Sequence, residues 1–237
     1  MPISTVECCD CMDYMAKFPD KFFELCICDP PYGIEDHISK GGGSHTKSQC
    51  KFHQLYSENH KSWDVRPNQS YFKELIRVSK NQIICGGNYF ADIIPISRGW
   101  AIWDKVTDGV TCVNPELIYT SFDLAVKIFR RPQGLNNGFM NKEGKNIHPT
   151  QKPIQLYSWL LQKYAKPGDK ILDTHMGSQS SRIAAHQMGF DFWGCEIDPE
   201  YFEQGCKRFE KEASQQALFV PEKIIEEQID LFKEAQP

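Results

Sequence analysis

The chain has 237 residues, 41% of them apolar and 12% aromatic, and 27 Lys and Arg against 31 Asp and Glu give a formal charge of −4. This composition excludes a disordered chain, a collagen-like fibre and a small disulfide scaffold, and a chain this long buries enough surface for one large α/β domain. No run approaches the roughly 20 apolar residues of a membrane span, and Met1-Pro2-Ile3-Ser4 has no basic segment followed by an apolar one, so a soluble cytoplasmic protein is expected.

In chain order, short apolar runs alternate with helical patterns. Strands are predicted at Ser4–Cys8, Leu25–Cys28, Gln82–Cys85, Trp100–Trp103, Leu124–Phe129, Lys170–Leu172 and Phe192–Cys195. Helices are predicted at Gln69–Ser79, Pro153–Ala165, Ser180–Met188 and Pro199–Glu212, with a further short one at Pro221–Phe232. The second opens with Pro in its first turn and the fourth has Asp198 as its cap. Seven strands interleaved in this way imply a mostly parallel sheet covered by helices on both faces, in a single domain spanning residues 1–237.

Ten cysteines in a chain of this size, without a secretion signal, read as thiols. Five fall early (Cys8, Cys9, Cys11, Cys26, Cys28), and Cys26 and Cys28 point the same way in an apolar strand, so buried thiols and no metal are expected. The five tryptophans lie mostly in strand or helix patterns and read as core.

Two segments fit neither periodicity. Residues 34–67 hold three successive glycines, five Lys/Arg, four Asp/Glu and four of the seven histidines; the stretch from Phe129 to Pro153 carries Arg130, Arg131, Lys142, Lys145 and Lys152 against the single acid Glu143. Polar loops of this length inside a compact domain are usually functional or disordered. A mildly negative chain does not adhere broadly to a polyanion, yet a local basic face suffices for a nucleic-acid groove.

The tetrapeptide Asp29-Pro30-Pro31-Tyr32 directly follows the apolar run Leu25–Cys28. A strand ending this way projects a carboxylate and a ring from the carboxyl edge of the sheet, where ligands bind in open α/β folds. Proline fixes φ and has no N–H, so the carbonyls of this turn are rigid acceptors beside the Asp29 carboxylate. Two acceptors suit the two hydrogens of an exocyclic NH2 group, and the Tyr32 ring offers a face on which the attached base can stack. Further along, Lys170-Ile171-Leu172-Asp173, then Gly177 and Ser178, then a helix from about Ser180, read as strand, turn and helix. Gly177 allows close backbone approach to a ligand, and Glu196, after the next strand, can accept two hydrogen bonds from ribose hydroxyls.

These segments resemble the S-adenosylmethionine-dependent DNA amino methyltransferases. Asp29-Pro30-Pro31-Tyr32 resembles their catalytic motif, in the form found in adenine-N6 more than cytosine-N4 enzymes. In register with it are Val6-Glu7-Cys8-Cys9-Asp10, Gly86-Gly87-Asn88-Tyr89-Phe90, Trp100 to Lys105, His148-Pro149-Thr150-Gln151-Lys152-Pro153, Pro167-Gly168-Asp169, and Asp173 to Ser181 with Glu196 and Asp198. The catalytic motif comes first and the cofactor loop last, the order of the circularly permuted beta class. The resemblance spans about Ile3 to Glu212 and implies a Rossmann-like methyltransferase fold, a prokaryotic or phage source, and methyl transfer from S-adenosylmethionine to the N6 amino group of a flipped adenine in double-stranded DNA.

By that resemblance, Asp29, Pro30, Pro31 and Tyr32 are catalytic, and Cys9, Asp10, Asp29, Lys152, Asp173, His175, Gly177, Ser178, Glu196, Ile197 and Asp198 surround the cofactor. Residues 34–67 and 130–151 are the expected DNA-recognition segments, with Lys40, Lys47, Lys51, Lys61, Arg66, Arg130, Arg131, Lys142 and Lys145 supplying phosphate and base-edge contacts. The recognition region is short, so a homodimer would help to cover a site. The family commonly has Phe and a final Gly where this chain has His175 and Gln179. His175 is expected to pack or hydrogen-bond, and the two departures leave a catalytically silent DNA-binding relative, beside cytosine-N4 transfer, as the alternative functions.

Overall fold

The computed structural model describes residues 2–33, 64–106, 115–131, 147–148 and 150–216. In chain order the elements are β1 (Ser4–Cys8), α1 (Cys11–Met15), β2 (Phe23–Cys28), α2 (Gln69–Val78), β3 (Ser79–Cys85), a 3-10 turn (Gly87–Phe90), β4 (Trp100–Asp104), β5 (Glu116–Thr120), β6 (Lys127–Arg130), α3 (Ile154–Tyr164), β7 (Lys170–Asp173), α4 (Ser180–Gln187), β8 (Asp191–Glu196) and α5 (Pro199–Gln216). The eight strands form one sheet in the order β1-β8-β7-β2-β3-β5-β4-β6. Every pairing is parallel except those of β5, which runs antiparallel to both β3 and β4.

Two cores lie on the two faces of this sheet. On one, Leu25 and Ile27 of β2 meet Leu156, Leu160 and Leu161 of α3 and Ile183 and Ala184 of α4, with Phe202 and Phe209 of α5 packed outside them. On the other, Cys26 and Cys28 meet Tyr14 and Met15 of α1 and Tyr71, Phe72, Leu75 and Val78 of α2. Alternation along β2 thus feeds both layers, because successive strand side chains point to opposite faces. The helix starts are set locally: Asn68 accepts hydrogen bonds from the N–H of Ser70 and Tyr71, and Asp198 from those of Glu200 and Tyr201. Leu160 has no exposed surface, and its truncation to Ala would cost about 2–5 kcal/mol.

The sheet has eight strands where seven are predicted. The unassigned one is β5, whose apolar stretch is only Leu117-Ile118-Tyr119. The strand expected over Leu124–Phe129 is shifted: the ladder to β4 begins at Lys127 opposite Ala101, and Leu124 and Val126 before it are exposed without strand partners. Helix α1 is also unpredicted, five residues long and capped by Asp10. The helix expected over Pro221–Phe232 lies outside the described residues.

Candidate active site

The parallel strands carry their site residues to one edge of the sheet. β2 delivers Asp29-Pro30-Pro31-Tyr32, β4 delivers Lys105, and β5, running the other way, starts at the same edge with Glu116. Lys152 lies just before α3. β3 ends at Cys85 and turns through Gly86, which has φ +63°; a Cβ there would stand 2.3 Å from the Tyr32 ring. Glycine is therefore required twice over, for the left-handed backbone and for the ring.

Here four charged side chains alternate in sign. The Lys152 ammonium donates to Asp29 Oδ2, and lies 3.1 Å from Glu116 Oε1 and 3.2 Å from the Tyr32 hydroxyl oxygen; Lys105 Nζ lies 3.3 Å from Glu116 Oε2. The Tyr32 hydroxyl oxygen lies 2.7 Å from Asp29 Oδ1 and 3.1 Å from Glu116 Oε1, so its one hydrogen can be donated to either carboxylate. The Lys152 side chain is only 6% exposed. Burial alone would push its ammonium down, but the carboxylates of Asp29 and Glu116 hold it well above the ordinary lysine range. Burial and the same two carboxylates keep the Tyr32 phenol neutral. One face of Tyr32 is covered by Tyr89, the rings lying 4.7 Å apart and 17° from parallel.

From this corner an open cleft runs past His175, Met176, Gly177 and Ser178 to Glu196, Ile197, Asp198 and Tyr201. Gly177, at φ +46°, donates its N–H to Glu196 Oε2 at 2.7 Å, and Glu196 Oε1 accepts from Asp198 N–H at 3.0 Å. Burial pushes the Glu196 carboxyl up. Each carboxylate oxygen has a second lone pair, so Glu196 can still accept a diol's hydrogens. A left-handed glycine, an adjacent acid and room to the catalytic corner fit S-adenosylmethionine.

The other expected cofactor residues are placed as follows. Asp29, Lys152, His175, Gly177, Ser178, Glu196, Ile197 and Asp198 line the cleft together with Pro30, Pro31 and Tyr32, whereas Cys9, Asp10 and Asp173 do not. Cys9 donates its N–H to the Glu196 carbonyl, which sets the end of β1 beside that of β8, and Asp10 caps α1. Asp173 is 1% exposed and accepts from the Ser181 hydroxyl and the His175 N–H, so it ties the turn rather than facing the cleft. The His175 ring packs edge-on against Tyr71, with Nδ1 3.0 Å from Thr174 Oγ1. Gln179 adopts φ +60°, and its buried amide donates to the Phe202 carbonyl while Arg182 donates to its oxygen.

Of the expected DNA contacts, Arg66 pairs with Asp92 and also donates to the Tyr89 carbonyl, Arg130 pairs with Asp104, and Arg131 follows the end of β6. Lys40, Lys47, Lys51, Lys61, Lys142 and Lys145 lie outside the described residues, as do residues 34–63 and 132–146 of the two loops. Glu116, Lys105 and Tyr89 are site residues that the sequence reading does not single out. Lys105 and Tyr89 fall inside segments quoted for their resemblance, but Glu116 opens a strand with no clear sequence signal. Cys8 and Cys11 have the C-x2-C spacing of a zinc ligand pair, yet among the described residues only Asp29, Cys85 and Glu116 form a group of three ligating side chains, and the Lys152 ammonium bonds both of its carboxylates.

Residues 95–207 match the N6/N4 methyltransferase family model, described as DNA methylase. Together with the fold and the site, this match makes the chain similar to the DNA methyltransferases of the N6/N4 amino class. Among individual proteins, it is 23% identical to the Type II methyltransferase M2.DpnII of Streptococcus pneumoniae, over 86% of this chain and 88% of that one. The M1.HpyAVI–SAM complex superposes with a TM-score of 0.56 at 17% identity, covering 87% of this chain and 98% of the other. The PvuII DNA methyltransferase, named as cytosine-N4-specific, superposes with the same TM-score at 12% identity, covering 90% and 92%. The fold alone therefore does not choose between the two amino bases. No helix among the described residues is long and apolar enough to cross a membrane.

Proposed function

We propose that the chain methylates the N6 amino group of adenine in double-stranded DNA, and that it is a circularly permuted, beta-class member of its group. The observation that carries the activity is the single cleft joining Asp29-Pro30-Pro31-Tyr32 to Gly177 and Glu196. The permutation is supported by chain order: β2 with its catalytic corner precedes the cofactor segment β7–α4–β8, which nevertheless lies beside β2 in the sheet.

Bound S-adenosylmethionine would supply an electrophilic methyl group to the N6 lone pair, the S–C electron pair staying on sulfur, and the methylated nitrogen would then release one of its two hydrogens as a proton to the Asp29 carboxylate and on to solvent. Glu196 would hold the ribose, and Gly177 and Ser178 would frame the remainder. Asp29 and the Pro30 carbonyl take the two amino hydrogens, which aims the lone pair and stabilises the positive charge that grows on nitrogen. A base inside a duplex cannot reach this recess, so the target is flipped out and stacks on Tyr32. The carboxylate in the first motif position favours adenine over cytosine.

The test is a labelled-methyl assay on mixed-sequence duplex DNA followed by nucleoside analysis, with Asp29→Ala in parallel. N6-methyladenine from the wild type, its loss by at least ~100-fold in the variant, and unchanged cofactor affinity are expected. N4-methylcytosine would reassign the base, and undiminished transfer by Asp29→Ala would overturn the assignment of the corner. Duplex binding with no transfer at all would favour the silent relative.

A further inference from the structure

We propose that Glu116 is a positioning residue of the base pocket, which draws the Lys152 ammonium off Asp29 as the target amino group arrives. This rests on the methyltransferase reading above and concerns how that site is prepared. In the structure as it stands, Asp29 is satisfied by its own chain, one oxygen by Tyr32 and the other by Lys152. That arrangement protects a carboxylate with only 16% of its side chain exposed, but it opposes catalysis. A cation held on Asp29 cancels the negative charge that the methylating nitrogen needs nearby, and it competes with the amino hydrogens for the same lone pairs.

Glu116 resolves the conflict by geometry. Ligating atoms of Asp29 and Glu116 lie within 4.8 Å of each other, two carboxylates that require a cation between them. Lys152 is that cation and already stands 3.1 Å from Glu116 Oε1, so a small movement transfers it without leaving it unpaired. Lys105 holds the far oxygen of Glu116 and anchors the acceptor from the end of β4, its ammonium also resting over the Trp103 ring. The four charges sum to zero before and after the shift, which keeps the recess from carrying an uncompensated buried ion. The Tyr32 hydroxyl spans both carboxylates and can turn to Glu116 in the same movement, freeing Asp29 Oδ1.

The experiment compares the wild type, Glu116→Gln, Lys152→Gln and the double variant. The readouts are kcat for methyl transfer to duplex DNA at saturating cofactor, cofactor affinity by calorimetry, and the thermal midpoint. Glu116→Gln is expected to lower kcat by ~10–100-fold with cofactor affinity within ~2-fold of wild type, because Lys152 then has Asp29 as its one carboxylate partner. Lys152→Gln alone is expected to lower kcat, because Lys152 also lines the cleft, but adding it to Glu116→Gln is expected to lower kcat by less than it does in the wild type, since the clamp on Asp29 is gone. A merely structural glutamate gives no such non-additivity. Wild-type kcat in Glu116→Gln, or losses that multiply in the double variant, overturn the proposal alone; absence of transfer by the wild type overturns the underlying reading and the proposal with it. Should Glu116→Gln fail to fold, Glu116→Asp is read in the same way: a partial fall in kcat that Lys152→Gln deepens by less than it lowers the wild type supports the proposal, and falls that multiply overturn it.

Discussion

Asp173 and His175 sit two residues apart in the turn after β7, and both titrate far from their ordinary values. Burial pushes the Asp173 carboxyl up to about 7 against the hydrogen bonds from Ser181 and His175 N–H, and burial pushes the His175 imidazole down to about 4. The ordinary values are 3.8 and 6.5. Between pH ~4 and ~6.5 the unfolded chain carries a proton on His175 that the native chain lacks, so this residue makes stability rise with pH. Across nearly the same window native Asp173 keeps a proton that the unfolded chain has lost, so this residue makes stability fall. The two slopes oppose and nearly cancel. Replacing His175 with Phe, the family's common residue, leaves Asp173 uncompensated. Relative to wild type, His175→Phe should lose stability by about 1.4 kcal/mol per pH unit as the pH rises from ~4 to ~6.5, read from denaturant titrations at several pH values. A difference from wild type that does not change with pH would show that these two groups do not titrate this way.

At the level of elements, two turns hold the site, and each depends on a glycine paired with a large side chain. At the end of β3, Gly86 gives the Tyr32 ring its place; Gly86→Ala should displace the ring and lower methyl transfer by tenfold or more, while leaving affinity for the cofactor unchanged because the cofactor turn follows a different strand. A variant with wild-type kcat would mean that Tyr32 is not held by this contact. At the start of α4, Gln179 occupies a left-handed conformation that favours glycine, at a cost of about 1 kcal/mol, offset by its buried hydrogen bonds to Phe202 and Arg182. Its side chain fits because Gly205 of α5 lies opposite: a Cβ there would come within 2.7 Å of Gln179 Cγ. Gly205→Ala is accordingly expected to lower the thermal midpoint, and Gly205→Ala combined with Gln179→Gly to recover most of the loss; equal midpoints in the two alanine-bearing variants would refute the pairing. These examples also show what sequence could and could not reveal. The Asp29–Tyr32 corner and the Gly177 turn were legible because proline and glycine impose backbone geometry locally. Glu116 was not, because its position depends on β5 inserting antiparallel between β3 and β4, which the short apolar run Leu117-Ile118-Tyr119 does not signal. Gln179 looked like a departure from the family pattern, and only its tertiary partner Gly205 explains it.

For the whole molecule, the net charge of −4 forces DNA binding to rely on a local rim rather than a general field. Two expected contact residues stand on that rim beside the catalytic corner. Arg66 donates to the carbonyl of Tyr89, whose ring stacks on Tyr32, and Arg130 pairs with Asp104, the residue before the Lys105 that holds Glu116. Both arginines are engaged with surface carboxylates, Asp92 and Asp104. The Arg130 side chain remains 72% exposed, and such exposed pairs contribute only ~0–1 kcal/mol, so exchanging the carboxylate for a phosphate costs little. Each arginine that neutralises one phosphate releases about one condensed counterion. Arg66→Ala and Arg130→Ala should each weaken binding to duplex DNA of any sequence and reduce the slope of log affinity against log salt by about 1, with the double variant losing about 2. Cofactor affinity should not change, because neither side chain reaches the cleft. Fluorescence-anisotropy titrations at four or five salt concentrations measure the slope directly. A slope equal to wild type in the double variant would mean that the duplex approaches the recess from another side, leaving both arginines in their observed ion pairs.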